Sequence, residues 1–246
     1  MKPTFLYHLL TLALLLCGMV MPSLQAQPYK NPSLSPEERT ADLLQRMTLE
    51  EKIAQIRHIH SWNIFEEQEL NKSKLQEFVG DLCWGFVEGF PLTGENCHRH
   101  MRHIQEYMLN HTRLGIPIFT VAEALHGSVH EGSTIYPQNI ALASTFNPEL
   151  AYLRATEISK ELHYQGINQI LAPCIDVVRD LRWGRIEESY GEDPYLNGIF
   201  AYKEAKGYLD NGISPMLKHY GAHGNPLGGL NLASVHCGIG ELHDVY

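Results

Sequence analysis

Apolar and polar positions alternate in blocks along this chain, and the blocks predict short strands separated by longer helices. Two helix starts come first. Ser35-Pro36-Glu37-Glu38 offers a capping hydroxyl, a proline where no N–H is needed and an acid three residues on. Thr48-Leu49-Glu50-Glu51 repeats the same capping logic. Leu43, Leu44 and Met47 fall on one face of the first helix, and Ile53, Ile56 and Ile59 on one face of the second. Strands are then predicted over Cys83 to Val87, Pro117 to Val121, Ile167 to Ala172 and Ser214 to Lys218. Helices are predicted over His98 to Asn110, Pro148 to Tyr164 and Pro194 to Leu209, with another beginning near Glu241. Strands alternating with helices of this length predict parallel βα units, and no internal repeat or low-complexity tract interrupts them.

The first 26 residues break this pattern. Lys2 precedes an apolar run from Leu9 to Met21, and Leu24-Gln25-Ala26 ends in a small residue. This reads as a signal peptide over residues 1–26, cut after Ala26, which predicts a secreted or periplasmic protein. Cys17 raises a lipoprotein anchor as a minor alternative, although Leu16 stands where a small residue is expected. Residues 27–34 read as a linker and 35–246 as one domain. No apolar run reaches the length of a membrane span, so no membrane partner is expected after cleavage. At 44% hydrophobic and 19% charged residues the balance is that of an ordinary globular protein. The net charge of −9 argues against a nucleic-acid partner, which requires a basic footprint. Cys83, Cys97, Cys174 and Cys237 form no CxxC pair and no recognisable disulfide framework.

The unusual polar residues follow the predicted strands: Glu123 and His126, then Asp176 to Glu188, then Lys218 and His219. In parallel α/β folds the C-terminal strand ends are where ligands bind. Arg182-Trp183-Gly184-Arg185 is the densest segment, with Glu187 and Glu188 beside it. A guanidinium fork suits paired hydroxyls, so one arginine is read as a ligand binder and the other as held by carboxylates. Trp183 either stacks on a ligand or anchors the loop. Lys218 and His219 point to opposite faces of an ideal strand, and both reach a pocket only if the strand ends there. The glycines at 221, 224, 228 and 229 indicate that it does. Zinc readings at His126, His130 and Glu131, and at Cys97, His100 and His103, are set aside, because Gly127 and Gly132 spoil the first as a helix and the second reads as a surface helix face. No metal and no cofactor is expected. No GxSxG elbow, GxxxxGK[ST] loop or GxGxxG turn is present.

These segments together resemble glycoside hydrolase family 3, in its β-glucosidase and β-xylosidase branches. The resemblance lies in Met47 to Gln55 (MTLEEKIAQ), Leu114 to Pro117 (LGIP), Glu123 to Gly127 (EALHG), Tyr136 to Ala143 (YPQNIALA), Thr145 to Glu149 (TFNPE), Ala172-Pro173, Arg182 to Arg185 (RWGR), Glu187-Glu188, Tyr190 to Pro194 (YGEDP) and Lys218-His219. It implies a partial (β/α)8 barrel, the first half of the family's N-terminal domain. It implies a β-glucoside, β-xyloside or small oligosaccharide substrate, cut at the non-reducing end with retention by an Asp nucleophile and a Glu acid/base. It implies sugar-hydroxyl contacts at Glu123, Arg185, Lys218 and His219, with Arg182, Trp183 and Glu188 in support.

The departures from the family pattern are specific. No Ser-Asp-aromatic segment, the family's nucleophile site, occurs here, and no segment matches the acid/base. Catalytic residues are therefore expected to be absent from this stretch, and the stretch alone is expected to be inactive. Glu123 stands where many members have Asp, as in xylosidase-type members, and Leu230 where some have a sugar-binding Arg. Pro226 to Gly229 lacks the Asp-x-His of the hexosaminidase branch. Asp176 and Asp180 read as salt-bridge partners of Arg179, Arg182 and Arg185 rather than as nucleophiles. A non-catalytic sugar-binding pseudoenzyme is the alternative reading.

Overall fold

A computed structural model describes residues 27–89 and 93–246. The predicted signal peptide lies outside the described residues. The chain divides into two units, one ending at Lys52 and one from Ile53 onward.

The first unit is built on the two capping boxes. Helix α1 (Pro36–Arg46) starts at Ser35, whose hydroxyl accepts from the Glu38 N–H while Glu38 reaches back to the Ser35 N–H. Helix α2 (Leu49–Gln55) starts with the same exchange between Thr48 and Glu51. The stretch read as a linker contains a 3-10 turn at Pro28–Lys30. Its Tyr29 is buried, donates its N–H to Asp42 and accepts from Arg39.

The second unit carries a five-stranded parallel sheet: β1 (His58–His60), β2 (Phe86–Glu88), β3 (Phe119–Ala122), β4 (Gln169–Ile170) and β5 (Ser214–Pro215). Each strand pairs with the next in sequence. A doubly wound sheet reverses its strand order at a switch point, whereas a barrel advances steadily. The observed order is the barrel progression. Helices α3 (Ser61–Ile64), α4 (Lys72–Val79), α5 (Gly94–His111), α6 (Asn139–Ala143), α7 (Glu149–Gln165), α8 (Pro194–Asp210) and α9 (Ile239–Asp244) fill the connections. The core joins Ile59, Val87, Ala122 and Ile170 of the strands to Met101, Ile104 and Met108 of α5, Ile158 and Leu162 of α7, and Tyr208 of α8. Helices α7 and α8 meet closely at Gly207, where a Cβ would lie 2.7 Å from the Tyr152 carbonyl and 2.8 Å from the Ala155 Cβ.

Four strands were expected and five are present in the sheet. The additional one is β1, where Ile59 was assigned to a helix face with Ile53 and Ile56. Helix α2 stops at Gln55, Ile56 is 80% exposed and Ile59 is fully buried within β1. Isoleucines three apart satisfy a helical period, and they obscured the two-residue alternation of His58-Ile59-His60. The expected strand at Cys83 to Val87 begins later, at Phe86. Gly85 is held against α2's end instead, its N–H donating to the Ala54 carbonyl at 3.1 Å. The expected strand from Ser214 to Lys218 pairs regularly only at its first two residues, with a lone bridge between Lys218 and Cys174. A small antiparallel hairpin, Phe65–Glu66 with Glu69–Leu70, turns through Glu67 and Gln68 at φ values of 47° and 67°.

Candidate functional site

Glu123 is the first residue after β3, and Asp176 lies in the loop after β4. Lys218 and His219 lie just beyond β5, joined by a cis peptide bond. The strand has ended by then, as the glycine-rich sequence beyond it predicted, and both side chains find carboxylates. The Lys218 ammonium donates to both oxygens of Glu123, at 3.1 and 3.0 Å. The lysine side chain is 8% exposed and Glu123 44%, so the pair has one buried end and one end open to a ligand.

His219 is held by Asp176. The carboxylate is 1% exposed, lies 2.7 Å from His219 Nδ1, and accepts the Cys174 thiol at 3.1 Å. A carboxylate only accepts, so Nδ1 carries the proton and Nε2 of the neutral ring is left with a lone pair. Burial pushes the Cys174 thiol well above its usual range, with the Asp176 charge adding to it. Asp176 was expected to pair with arginines; the structure places it under His219 instead. The sequence offered no signal for this, because the two residues are 43 positions apart.

The arginine loop follows. Arg185 forms a two-pronged pair with Glu188, at 2.6 and 2.7 Å, and Arg182 forms one with Asp180, at 2.9 and 2.6 Å. Both arginines are thus held by carboxylates, where one was expected to be. They differ in exposure: the Arg182 side chain is 71% exposed and Arg185 26%. Trp183 is buried and donates its indole N–H to Asn231 at 3.0 Å, so it anchors the loop rather than presenting a face to solvent.

His223 links these parts. Its ring lies 4.4 Å from His219 and 5.3 Å, edge-on, from Trp183, and the Arg185 guanidinium lies 6.0 Å from the Trp183 ring. Burial lowers the His223 pKa, and the charge or proton of neighbouring His219 lowers it further. Gly224 follows because a Cβ there would meet the Val177 carbonyl at 2.5 Å. The structure therefore brings Arg185, Glu188, Lys218, His219 and Glu123 together, adds Asp176 and His223, and leaves Arg182 at the margin.

A buried network supports the loop from behind. Arg154 of α7 donates to Glu204 of α8 and to Asn139 of α6, each at 2.6 Å, and to the Pro137 carbonyl. The Asn139 amide in turn donates to the Glu188 carbonyl at 2.6 Å, and the Tyr190 hydroxyl donates to Glu204. Burial raises the Glu204 pKa while Arg154 opposes that shift. The sequence assigned no role to Arg154 or Glu204 at the centre of this network. Its members come from three helices and a loop, and only packing unites them.

Beside Glu123, Glu88, Ala122 and Leu171 border a cavity of about 650 Å³. The histidines weighed for zinc do not converge. His126 Nδ1 faces the Tyr136 carbonyl, while His130 is buried against Ser128 and Cys97. Among the described residues neither set forms a donor cluster. All four described cysteines are free.

A sequential parallel sheet with charged residues gathered at its C-terminal strand ends defines a barrel-type α/β protein with a polar ligand site. The chain belongs to glycosyl hydrolase family 3: the sequence model described as "Glycosyl hydrolase family 3 N terminal domain" matches residues 48–246. It is 34% identical over 225 residues to a putative beta-xylosidase of Formosa agariphila, covering 86% of this chain and 30% of that protein. It is 31% identical over 238 residues to the periplasmic beta-glucosidase of Salmonella typhimurium, covering 92% and 29% respectively. Among solved structures, a β-glucosidase from Erythrobacter marinus superposes with a TM-score of 0.78 at 29% identity, over 87% of this chain and 29% of that one. A β-glucosidase from Listeria innocua, in complex with glucose, superposes at 0.71 and 30% identity, over 85% of this chain and 30% of that one. The chain spans about 30% of the length of each of these four proteins.

Proposed function

We propose that this chain supplies the sugar-holding part of a β-glycosidase that removes terminal non-reducing β-D-glucosyl or β-D-xylosyl residues with retention of configuration. The observation that carries this is the pair of carboxylate-held bases at the strand ends, Lys218 on Glu123 and His219 on Asp176. Glu123 has free acceptor capacity and Lys218 one remaining donor, so together they suit adjacent hydroxyls that both give and take hydrogen bonds. His219 Nε2 accepts from a further hydroxyl, and Arg185 donates from the far side of the loop. Preorganised donors strengthen their hold as the ring flattens toward an oxocarbenium-like transition state. Family membership and the names of the relatives agree with this substrate class.

In this reading the attacking Asp and the acid/base Glu come from segments other than those described, and residues 27–246 alone bind sugar without cleaving it. Residues 1–26 act as a signal peptide and direct the protein to the periplasm or the exterior. The test compares full-length protein with this chain on nitrophenyl β-glucoside and β-xyloside. Turnover by the full-length protein, abolished or sharply reduced in Lys218→Met, supports the proposal. Turnover by the 246-residue chain alone refutes the division of labour. Sugar binding without turnover by the full-length protein makes it a pseudoenzyme. N-terminal sequencing of exported protein, expected to begin at Gln27, tests the leader.

A further inference from the structure

We propose that His58, His60 and Glu88 form a binding site for a zinc-type divalent cation. The backbone dictates the grouping. His58 and His60 are two apart on β1 and so leave the same face of the sheet, while Ile59 between them is buried in the core on the other face. The parallel register sets His60 directly beside Glu88 of β2. Rigid strands, not loops, hold all three donors.

The distances fit a metal better than they fit a hydrogen-bonded triad. His58 Nε2 lies 3.2 Å and His60 Nδ1 3.4 Å from the same oxygen of Glu88. Both nitrogens are buried and neither makes a hydrogen bond, although both approach that oxygen. Zinc bonds of about 2.0–2.1 Å in a tetrahedron put neighbouring donors roughly 3.3–3.4 Å apart. Two edges of that tetrahedron are therefore already present. The third, between the two nitrogens, is within 4.8 Å. Trp62 stacks on the His60 ring at 3.8 Å and 14°, which fixes the plane of that ligand.

Two imidazoles and one carboxylate are a donor set that zinc accepts when it keeps a fourth position open. Glu88 also borders the cavity of about 650 Å³ that Glu123 borders, so that fourth position is within reach of solvent in the cavity. The ion would lie on the sheet face that bears His60 and Glu88, beside the cavity that Glu123 also borders, and its binding does not depend on the sugar reading being correct.

The test uses full-length protein, stripped with a chelator and titrated with zinc alone by calorimetry. One equivalent is expected to bind, and zinc is expected to raise the unfolding temperature reversibly. His58→Asn and Glu88→Gln are each expected to weaken binding at least about tenfold, while His236→Asn, at an exposed position, leaves it unchanged. Cobalt(II) in the unaltered protein is expected to give the intense visible bands of a four-coordinate ion, a readout that holds even if the variants fold poorly. No saturable zinc binding, binding unchanged in both variants, or the pale spectrum of six-coordinate cobalt overturns the proposal.

Discussion

Asp176→Asn isolates the contribution of a residue that need not touch the sugar. The variant keeps the shape of the side chain and removes its charge. Asp176 is 1% exposed at its side chain, and its oxygen lies 2.7 Å from His219 Nδ1. A hydrogen bond to a charged partner contributes about 1.5–3 kcal/mol, and a buried one lies toward the upper part of that range. With the amide in place, the ring is no longer compelled to carry its proton on Nδ1, so Nε2 is no longer reserved for the ligand. If that energy is expressed in the transition state, kcat/KM falls roughly 10- to 150-fold. The assay is steady-state hydrolysis of a nitrophenyl glycoside by full-length enzyme. It is accompanied by an imidazole nitrogen–proton NMR correlation that reports the His219 tautomer. A kcat/KM within twofold of the parent, or a lowered rate with the tautomer unchanged, refutes the argument that Asp176 acts by orienting His219.

Three further outcomes follow from burial. Glu204→Ala strands the Arg154 guanidinium, whose side chain is 3% exposed, and is expected to destabilise the protein by about 3–5 kcal/mol in urea unfolding; a loss below 1 kcal/mol would show that the network is not a support. Burial pulls the His130 pKa down to about 4 from 6.5, so between those values the unfolded chain takes up a proton that the folded one refuses. Stability is therefore lost as pH falls from 6.5 toward 4, by up to about 3 kcal/mol, and the unfolding midpoint of His130→Asn should fall less steeply over that window. Burial pushes the Cys97 thiol up to about 12 and Cys174 higher still, and Cys83 is buried as well, leaving the half-exposed Cys237 to react first among the described cysteines. Mass spectrometry after brief alkylation of the native protein should find the label there, and early label on Cys97 or Cys174 would contradict their burial.

Much of the site was legible because it follows a local rule. Glu123, Arg185, Lys218 and His219 each stand just after a strand or in the loop that follows one, and such placement reads directly from alternating hydrophobicity. What each touches was less legible. Arg182 and Arg185 look equivalent in RWGR, yet one projects into solvent and the other is half-buried against Glu188 beside the Trp183 ring. Asp176 looks like one more acid near the arginines, and it is the carboxylate that orients His219. His58 and His60 drew no notice beside an isoleucine that suited a helix.

The amino-acid sequence by itself determined the capping boxes of α1 and α2, the βα alternation, the start of α8 at Pro194, and the family. All of these rest on interactions within a few residues or on a period that one segment carries alone. Only the tertiary structure decided the strand β1, the pairing of Lys218 with Glu123 across 95 positions, the Asp176–His219 contact and the Arg154–Glu204 support. Those depend on which strand ends meet when the sheet closes register. Close packing fixes that outcome for the molecule as a whole, and no short window of sequence records it.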